Sequence, residues 1–227
     1  MDYVGFDFKN PDYPAIFQQR LDFYNNLKAH PERIPALKAY YRDHPDSRDL
    51  LQGPIVYDDL QTISTNFEPM WRGQMWGIWA TDPRGVDPDG EPYEIWGQGM
   101  GVFSCRKDAW LGFNPAFRGF GGEEGYIHEK FRQAGARCLC LPWLRWGHRF
   151  GRRAGIPYSI SVLDKCRNYM IGFAELGLDL EPVRSHFSEW ISEEQFAALE
   201  AEALAHGISP PPQSVYSADV IDFTPAI

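Results

Sequence analysis

Apolar side chains recur at helical spacing in the first 45 residues. Between residues 11 and 31 they predict an amphipathic helix that Pro31 closes, with Ile16, Phe17, Leu21, Tyr24 and Leu27 on its apolar face. The next stretch, "RIPALKAYYRDHP", predicts a shorter helix that ends at Pro45. The two helices predict a helical hairpin, assigned to residues 1–48 as an N-terminal arm.

Residues 49–178 alternate between strand-like and helix-like patterns. The segments "GPIVY", "QMWGIWA", "GQGMGVFSC" and "ARCLCLP" predict strands, and "TDPRGVDPDGEP" predicts a turn-rich loop. Helices are predicted in "CRKDAWLGF", over residues 125–134 with Gly135 after the last turn, and over residues 157–177. The pattern predicts an α/β fold with a mixed sheet flanked by helices.

The C-terminal part predicts a helix followed by a tail. In "SEEQFAALEAEALAHG", Ser192 and Gln195 have the spacing of a capping box, and Gly207 ends the helix. We assign residues 179–207 to this helical segment and residues 208–227 to an extended tail.

Composition and charge narrow the classes of function. The net charge is −9 and the pI about 5.1, which argues against a dedicated phosphate-backbone binder, although residues 145–153 form a local basic patch. No two of the four cysteines have CxxC spacing, so a zinc site is not predicted. Cys138 and Cys140 are expected on one side of a strand, as buried thiols of a reducing compartment. No apolar run approaches the roughly 20 residues of a membrane span, so we expect a cytoplasmic protein without membrane contact.

Two adjacent carboxylates stand out in "GFGGEEGYIHEKFRQAG", residues 119–135. Glu123 and Glu124 follow Gly121 and Gly122 directly in front of a predicted helix. The unpaired amides of a first helical turn would keep such a carboxylate ionised and fixed, which suits a general base. The glycines would let a substrate approach the backbone closely. His128, one turn further on, is expected to be solvated. The alternative is that the pair is simply acidic sequence at a helix start.

Four motifs in order resemble the C-terminal half of GT-A glycosyltransferases. They are a glycine-rich strand running into a basic short helix (residues 97–110), "GFNPAF", "GFGGEE", and a strand followed by "WGH". The pattern is similar to family-2-like enzymes, to the galactosyltransferase C-terminal region and to polypeptide N-acetylgalactosaminyltransferases, and it covers roughly residues 50–175.

The resemblance implies transfer of a sugar from a nucleotide sugar to a hydroxyl acceptor, assisted by Mn or Mg. Glu123 and Glu124 would be catalytic and His148 a metal ligand. The implied substrate-binding residues are Trp96, Gly97, Gly99, Arg118, Gly121, Gly122, Trp146, Arg149 and Arg152. Each also has an ordinary structural interpretation: core packing for the tryptophans, a satisfied structural histidine for His148, and a solvated loop for the arginines.

The chain also departs from that family. Nothing upstream of Leu50 resembles the nucleotide-binding βαβ half with its acidic metal motif. Asp87 and Asp89 form a literal DxD but sit in turn-forming sequence, and Asp58 and Asp59 have no family counterpart. We therefore expect a partial GT-A-like fold that pairs as a homodimer or with a separate nucleotide-binding chain.

Alternative functions follow from the same departure. The chain would then be a non-catalytic module binding a glycan or a modified DNA base, or a vestigial or structural phage protein. Residues 1–45 weakly resemble the N-terminus of phage terminase large subunits. That resemblance implies a phage or prophage gene, and hence the host cytoplasm.

Overall fold

A computed structural model describes residues 33–148, 150 and 160–207. The predicted helix within residues 11–31, the tail at 208–227, Arg149 and Arg152 lie outside them. The helices are α1 (Arg33–Asp43), α2 (Glu123–Gln133), α3 (Val162–Glu175), α4 (Glu181–Phe187) and α5 (Glu193–Gly207). The strands are β1 (Leu50–Gln52), β2 (Ile55–Val56), β3 (Ile63–Ser64), β4 (Asn66–Arg72), β5 (Met75–Ala80), β6 (Tyr93–Glu94), β7 (Phe103–Ser104), β8 (Cys138–Cys140) and β9 (Trp146–Gly147).

The centre of the fold is a parallel pairing of two interrupted strands. β1 and β2 follow each other along the chain, and they pair in parallel with β8 and β9 respectively. β7 and β6 complete a four-stranded mixed sheet in the order β6-β8-β1-β7, while β3 joins β2 and β9 in a second sheet. The interruption requires glycine, since a Cβ on Gly53 would stand 1.7 Å from the carbonyl oxygen of Leu144.

Helices cover both faces of the four-stranded sheet. Leu51 and Leu139 point to one face, where Leu37, Tyr40 and Tyr41 of α1 pack on them. On the other face Leu50, Cys138 and Cys140 pack with the α2 side chains Ile127 and Phe131. The predicted α/β class is confirmed, as is the burial of both thiols on one side. α1 therefore belongs to the core, while the boundary at residue 48 stays a prediction.

The C-terminal helices form a second core around α3. Met170 and Ile171 of α3 pack with Phe187 of α4 and with Phe196 of α5. The predicted capping box is confirmed: the Ser192 N–H donates to Gln195 Oε1 at 2.9 Å, and the Gln195 N–H donates to Ser192 Oγ at 3.3 Å. Sequence patterning did not predict α4.

A long hairpin, β4–β5, links the second core to the rest of the molecule. Trp71 and Trp76 near its tip pack against the α3–α5 cluster. The backbone N–H of Trp76 donates to the Tyr169 hydroxyl of α3 at 2.8 Å. The hairpin is therefore held by α3, opposite the start of α2. None of the helices in the described part of the chain is long and apolar enough to cross a membrane.

Two predicted elements are shorter than expected, and one begins earlier. In "GQGMGVFSC" β7 covers Phe103–Ser104, and "CRKDAWLGF" contains a 3-10 turn at Lys107–Ala109 in place of a helix. Residues 98 and 99 are irregular because side chains take their backbone hydrogen bonds. α2 starts at Glu123, two residues before the predicted start, so both carboxylates lie in its first turn.

A half-buried ion cluster ties α2 to α3. Lys130 Nζ lies 2.8 Å from Glu175 Oε1 and donates to the Tyr126 hydroxyl at 2.6 Å. That hydroxyl and Asn114 Nδ2 each donate to Glu175 Oε2 at 2.7 Å. The side chains of Lys130 and Glu175 are 12% and 10% exposed, so little water is available to replace a lost partner.

Removing one member of this ion cluster should destabilise the fold. We expect Glu175→Ala to lower the free energy of unfolding by about 3 kcal/mol, because it leaves the Lys130 ammonium desolvated and without its carboxylate. Chemical denaturation measures this. Glu200→Ala is the control, since its carboxylate is exposed and 3.5 Å from Arg184, and it should cost under about 0.5 kcal/mol. The double change Lys130→Met with Glu175→Leu should cost less than Glu175→Ala, because it leaves no buried charge unpaired. Equal losses of stability for Glu175→Ala and Glu200→Ala would contradict a stabilising role of the ion cluster.

Candidate active site

The glycines before α2 turn the chain into the helix and bring it onto α3. Gly119, Gly121 and Gly122 have φ of +66°, +100° and +96°, a region that side-chain-bearing residues rarely adopt. A Cβ on Gly121 would stand 3.1 Å from Lys165 Cγ, and one on Gly122 would stand 3.1 Å from Asn168 Cβ. This side of both glycines is therefore filled by α3 and leaves no room for a sugar there. Their role in substrate binding stays a prediction.

Asn168 holds the glycine loop in place. This buried side chain of α3 donates from Nδ2 to the carbonyls of Arg118 and Gly121 at 2.8 and 2.9 Å. Its Oδ1 accepts the Arg118 N–H at 3.1 Å. The Arg118 side chain, predicted to bind substrate, forms an ion pair with Asp164 at 2.5 Å. Asn168 was missed from sequence, because α3 contains several other polar residues and nothing in their spacing marks Asn168 as buried.

The first turn of α2 lies between the hairpin and residue 96. A Cβ on Gly125 would stand 3.1 Å from the Trp76 ring and 3.6 Å from the Trp96 ring. The two indoles meet edge to face with centroids 5.8 Å apart, and both are partly exposed. Trp96 thus lies beside the first turn of α2, as does Trp76, which the sequence did not indicate. The role of Trp96 in substrate binding stays a prediction.

Burial and mutual repulsion set the charge of the acid pair. Burial is the main cause that raises the pKa of Glu124 to about 8, and the neighbouring Glu123 charge adds to it. Burial also raises the pKa of Glu123, opposed by backbone N–H groups and by the Lys165 ammonium. The expectation that both are kept ionised is wrong for Glu124, since desolvation outweighs the helix-start amides. At pH 7 Glu124 keeps its proton.

Lys165 is the cation that faces the pair. Its side chain is buried, and burial lowers the pKa of Lys165 while the Glu123 charge opposes this. Its ammonium donates to Gln74 Oε1 at the hairpin turn, 3.3 Å away. The site therefore brings together two carboxyls whose pKa values are raised by burial and a cation that favours the ionised form of Glu123.

The other predicted glycines and Trp146 are engaged in packing. Gly97 faces the His128 ring, 3.5 Å from a Cβ built on it, and Gly99 faces the Trp79 ring at 2.8 Å. Trp146 donates from Nε1 to the Gly53 carbonyl at 3.2 Å. Its ring covers Gly101, where a Cβ would stand 2.2 Å away. Binding roles for Gly97, Gly99 and Trp146 stay predictions.

His148 directly follows β9, the strand that pairs in parallel with β2. Its N–H donates to the Val56 carbonyl at 3.0 Å, and its ring centroid is 3.9 Å from that of Phe150. Since β2 and β9 run parallel, the acidic residues nearest to it in register are Asp58 and Asp59, not Asp87 and Asp89.

The acidic side chains near these strands serve turns. Asp59 accepts the N–H groups of Gln61 and Thr62 at 2.9 and 2.8 Å. Asp87 accepts the Asp89 N–H at 3.0 Å, as expected of turn sequence. Within the described ranges no group of three or more His, Cys, Asp or Glu side chains is placed to hold a metal ion. The described residues thus do not by themselves form a metal site around His148.

His128 is the clearest error of the sequence interpretation. The side chain expected to be solvated has no exposed surface. Helical spacing carried a usable signal, because His128 lies one turn after Glu124 and adjoins the apolar positions Ile127 and Phe131. A polar ring on that face must find partners within the core.

Comparison with known proteins gives weak similarity to solved structures. No protein-family model matches the chain, and no curated protein matches it. A crystal structure of GalNAc-T7 with UDP, GalNAc and Mn2+ is similar at 17% identity and a TM-score of 0.42. The match covers 63% of this chain and 33% of that one, so this chain spans about a third of that protein's length. A similarity at this level does not establish a family.

The raised pKa of Glu124 predicts a dependence of stability on pH. Between pH 4.5 and about 8 the folded state holds a proton that the unfolded state has released, so the wild-type free energy of unfolding falls as pH rises through this window. Glutamine mimics the protonated carboxyl and does not titrate, so the Glu124→Gln variant should not show this fall in the free energy of unfolding. Relative to wild type, Glu124→Gln should gain at least about 1 kcal/mol between pH 5 and pH 8.

Urea denaturation at several pH values measures this difference. Glu181→Gln is the matched control, an exposed glutamate in the first turn of α4, and its difference from wild type should stay flat. A flat difference for Glu124→Gln as well would show that the carboxyl is ionised at neutral pH.

Proposed function

We propose that this chain supplies the acceptor-side part of a glycosyltransferase site, transferring a sugar from a nucleotide sugar to a hydroxyl group. The observation that carries the proposal is the acid pair Glu123 and Glu124 in the first turn of α2, with Lys165 facing it and Trp76 and Trp96 beside it. The ordered motifs that resemble GT-A glycosyltransferases select this chemistry among those that a carboxylate pair can perform. The acceptor is a glycan or a modified DNA base.

Glu123 is the proposed general base. It is the member of the pair whose negative charge Lys165 favours, and Glu124 remains protonated beside it at pH 7. Glu123 takes the proton of the acceptor hydroxyl as that oxygen bonds to the sugar carbon, and the bond from that carbon to the diphosphate breaks. The protonated Glu124 donates a hydrogen bond to a sugar or acceptor oxygen.

Two indoles give the site its apolar surface. Trp76 and Trp96 are partly exposed next to Gly125, where their faces can pack on the C–H surface of a sugar ring. Carboxyls and indoles together are a suitable lining for a sugar, which is polar at its rim and apolar on its faces.

The diphosphate leaving group is not assigned to the described residues. By the resemblance, Mn or Mg and His148 would receive its charge, with Arg149 and Arg152 at the phosphates. Of His148, Arg149 and Arg152, only His148 lies in the described part of the chain. A second copy of the chain or a separate nucleotide-binding chain would complete the site.

The proposed chemistry predicts loss of transfer on removing the base. Glu123→Gln should lower the rate of sugar transfer by about 100-fold or more, with the melting temperature retained. The assay follows release of UDP or GDP from nucleotide sugars with glycan and modified-DNA acceptors. Glu181→Gln, an exposed first-turn glutamate on α4, should transfer at the wild-type rate.

Nucleotide binding is tested separately from transfer. UDP or GDP with Mn2+ should raise the melting temperature of the wild-type chain, and of Glu123→Gln equally, because the base does not hold the nucleotide. A flat response to both nucleotides and their sugars, together with metal-independent glycan or DNA binding, would replace the proposal with a non-catalytic binding module.

A further inference from the structure

Three polar side chains meet inside the core with no exposed surface. They are Gln52 of β1, Gln98 from the irregular segment after Trp96, and His128 of α2. Buried polar groups are costly unless paired, so such a cluster is retained only where its hydrogen bonds are made. This polar cluster lies one helical turn below the acid pair.

The polar cluster accounts for every backbone polar group of residues 98 and 99. The Gln98 N–H donates to His128 Nε2 at 3.2 Å, and the Gly99 N–H donates to Gln98 Oε1 at 3.0 Å. Gln52 Nε2 donates to the carbonyls of Gly99 and Gln98 at 3.1 and 3.4 Å. These groups would otherwise have been expected to join a strand ladder.

His128 connects this segment to the acid-pair turn. Its Nδ1 lies 2.5 Å from the Glu124 carbonyl oxygen, and its Nε2 lies 2.5 Å from Gln52 Oε1 as well as facing Gln98. Its ring packs against Gly97, where a Cβ would stand 3.5 Å from the imidazole, in van der Waals contact. One side chain thus contacts the backbone that carries Glu124 and the backbone that follows Trp96.

We propose that His128 is a positioning residue that fixes Trp96 and residues 97–99 relative to the carboxylates of α2. The inference rests on the proposed function for its catalytic meaning, since Trp96 and Glu124 are then the wall and the acid of one site. His128 touches no substrate. It acts through the backbones on either side of it.

Its role is hydrogen bonding and not proton transfer. Burial lowers the pKa of His128 to about 4, and the Arg132 charge acts in the same direction. Arg132 itself donates to the Trp96 carbonyl and stacks on the Trp96 ring at 5.5 Å. The ring is therefore neutral at pH 7. Its one N–H, on Nδ1, donates to the Glu124 carbonyl, and Nε2 accepts the Gln98 N–H.

Two conservative changes separate the two sides of the ring. An Asn side chain can place its amide near the Nδ1 position and hydrogen-bond to the Glu124 carbonyl. A Gln side chain can reach the Nε2 position and hydrogen-bond to Gln98 and Gln52. We expect His128→Leu to speed amide exchange at Gln98 and Gly99 by about 100-fold. His128→Gln should restore most of the protection at those amides, and His128→Asn should not.

Hydrogen exchange measured by NMR on the full chain tests this without any substrate. Tyr126→Phe is the matched control on the same helix, because it removes a hydroxyl from the ion cluster with Lys130 and Glu175. In this variant the exchange rates of the Gln98 and Gly99 amides, compared with those of the β8 amides, should be no higher than in the wild-type chain. If His128→Leu does not fold, the comparison of the Gln and Asn variants decides.

Two outcomes would overturn the assignment. One is that exchange at Gln98 and Gly99 rises no more than at the β8 amides, which would make His128 a general core residue. The other is equal protection in the Gln and Asn variants. Where the wild-type chain transfers sugar, His128→Leu should lower kcat with less effect on KM. A wild-type chain without transfer activity would remove the proposed function but leave the exchange result standing.

Discussion

The burial of the first turn of α2 between α3 and the β4–β5 hairpin is the constraint on which the site depends. It brings α3 to within 3.1 Å of a Cβ on Gly121 or Gly122, and both positions have the left-handed φ that favours glycine. It also removes water from Glu123 and Glu124, and for Glu124 this outweighs the helix-start amides. Loop geometry and charge state thus have one cause.

Opposite sides of α2 are fixed by two separate polar clusters. Lys130 and Tyr126 bind Glu175 of α3, while His128 accepts the Gln98 N–H and contacts Gln52. Apolar packing alone tolerates small rotations of a helix, whereas hydrogen bonds of fixed length and direction do not. Polar contacts on both sides therefore hold the acid pair in a defined orientation relative to Trp96.

Local signals in the sequence were sufficient for much of the fold. The capping box of α5, the Cys138–Cys140 strand and the position of α2 follow from spacing of a few residues. Hydrogen-bond partners distant in sequence were not predictable. His128 was expected to be solvated and is buried, and the role of Asn168 was missed. The strand expected at 97–105 covers only Phe103–Ser104. In each case the deciding hydrogen bond joins residues at least 30 positions apart. The charge of Glu124 likewise depends on packing that spacing does not reveal.

The proton held by Glu124 has a calorimetric consequence. A ligand that brings positive charge to the pair, or that pairs with Glu123, favours ionisation of Glu124 and expels that proton into the buffer. The measured heat of binding then contains the ionisation enthalpy of the buffer, so titrations in phosphate and in Tris would differ for a ligand bound at this site. A ligand bound elsewhere on the molecule would give the same heat in both. Proton release into the buffer would thus indicate that a ligand has bound at the acid pair.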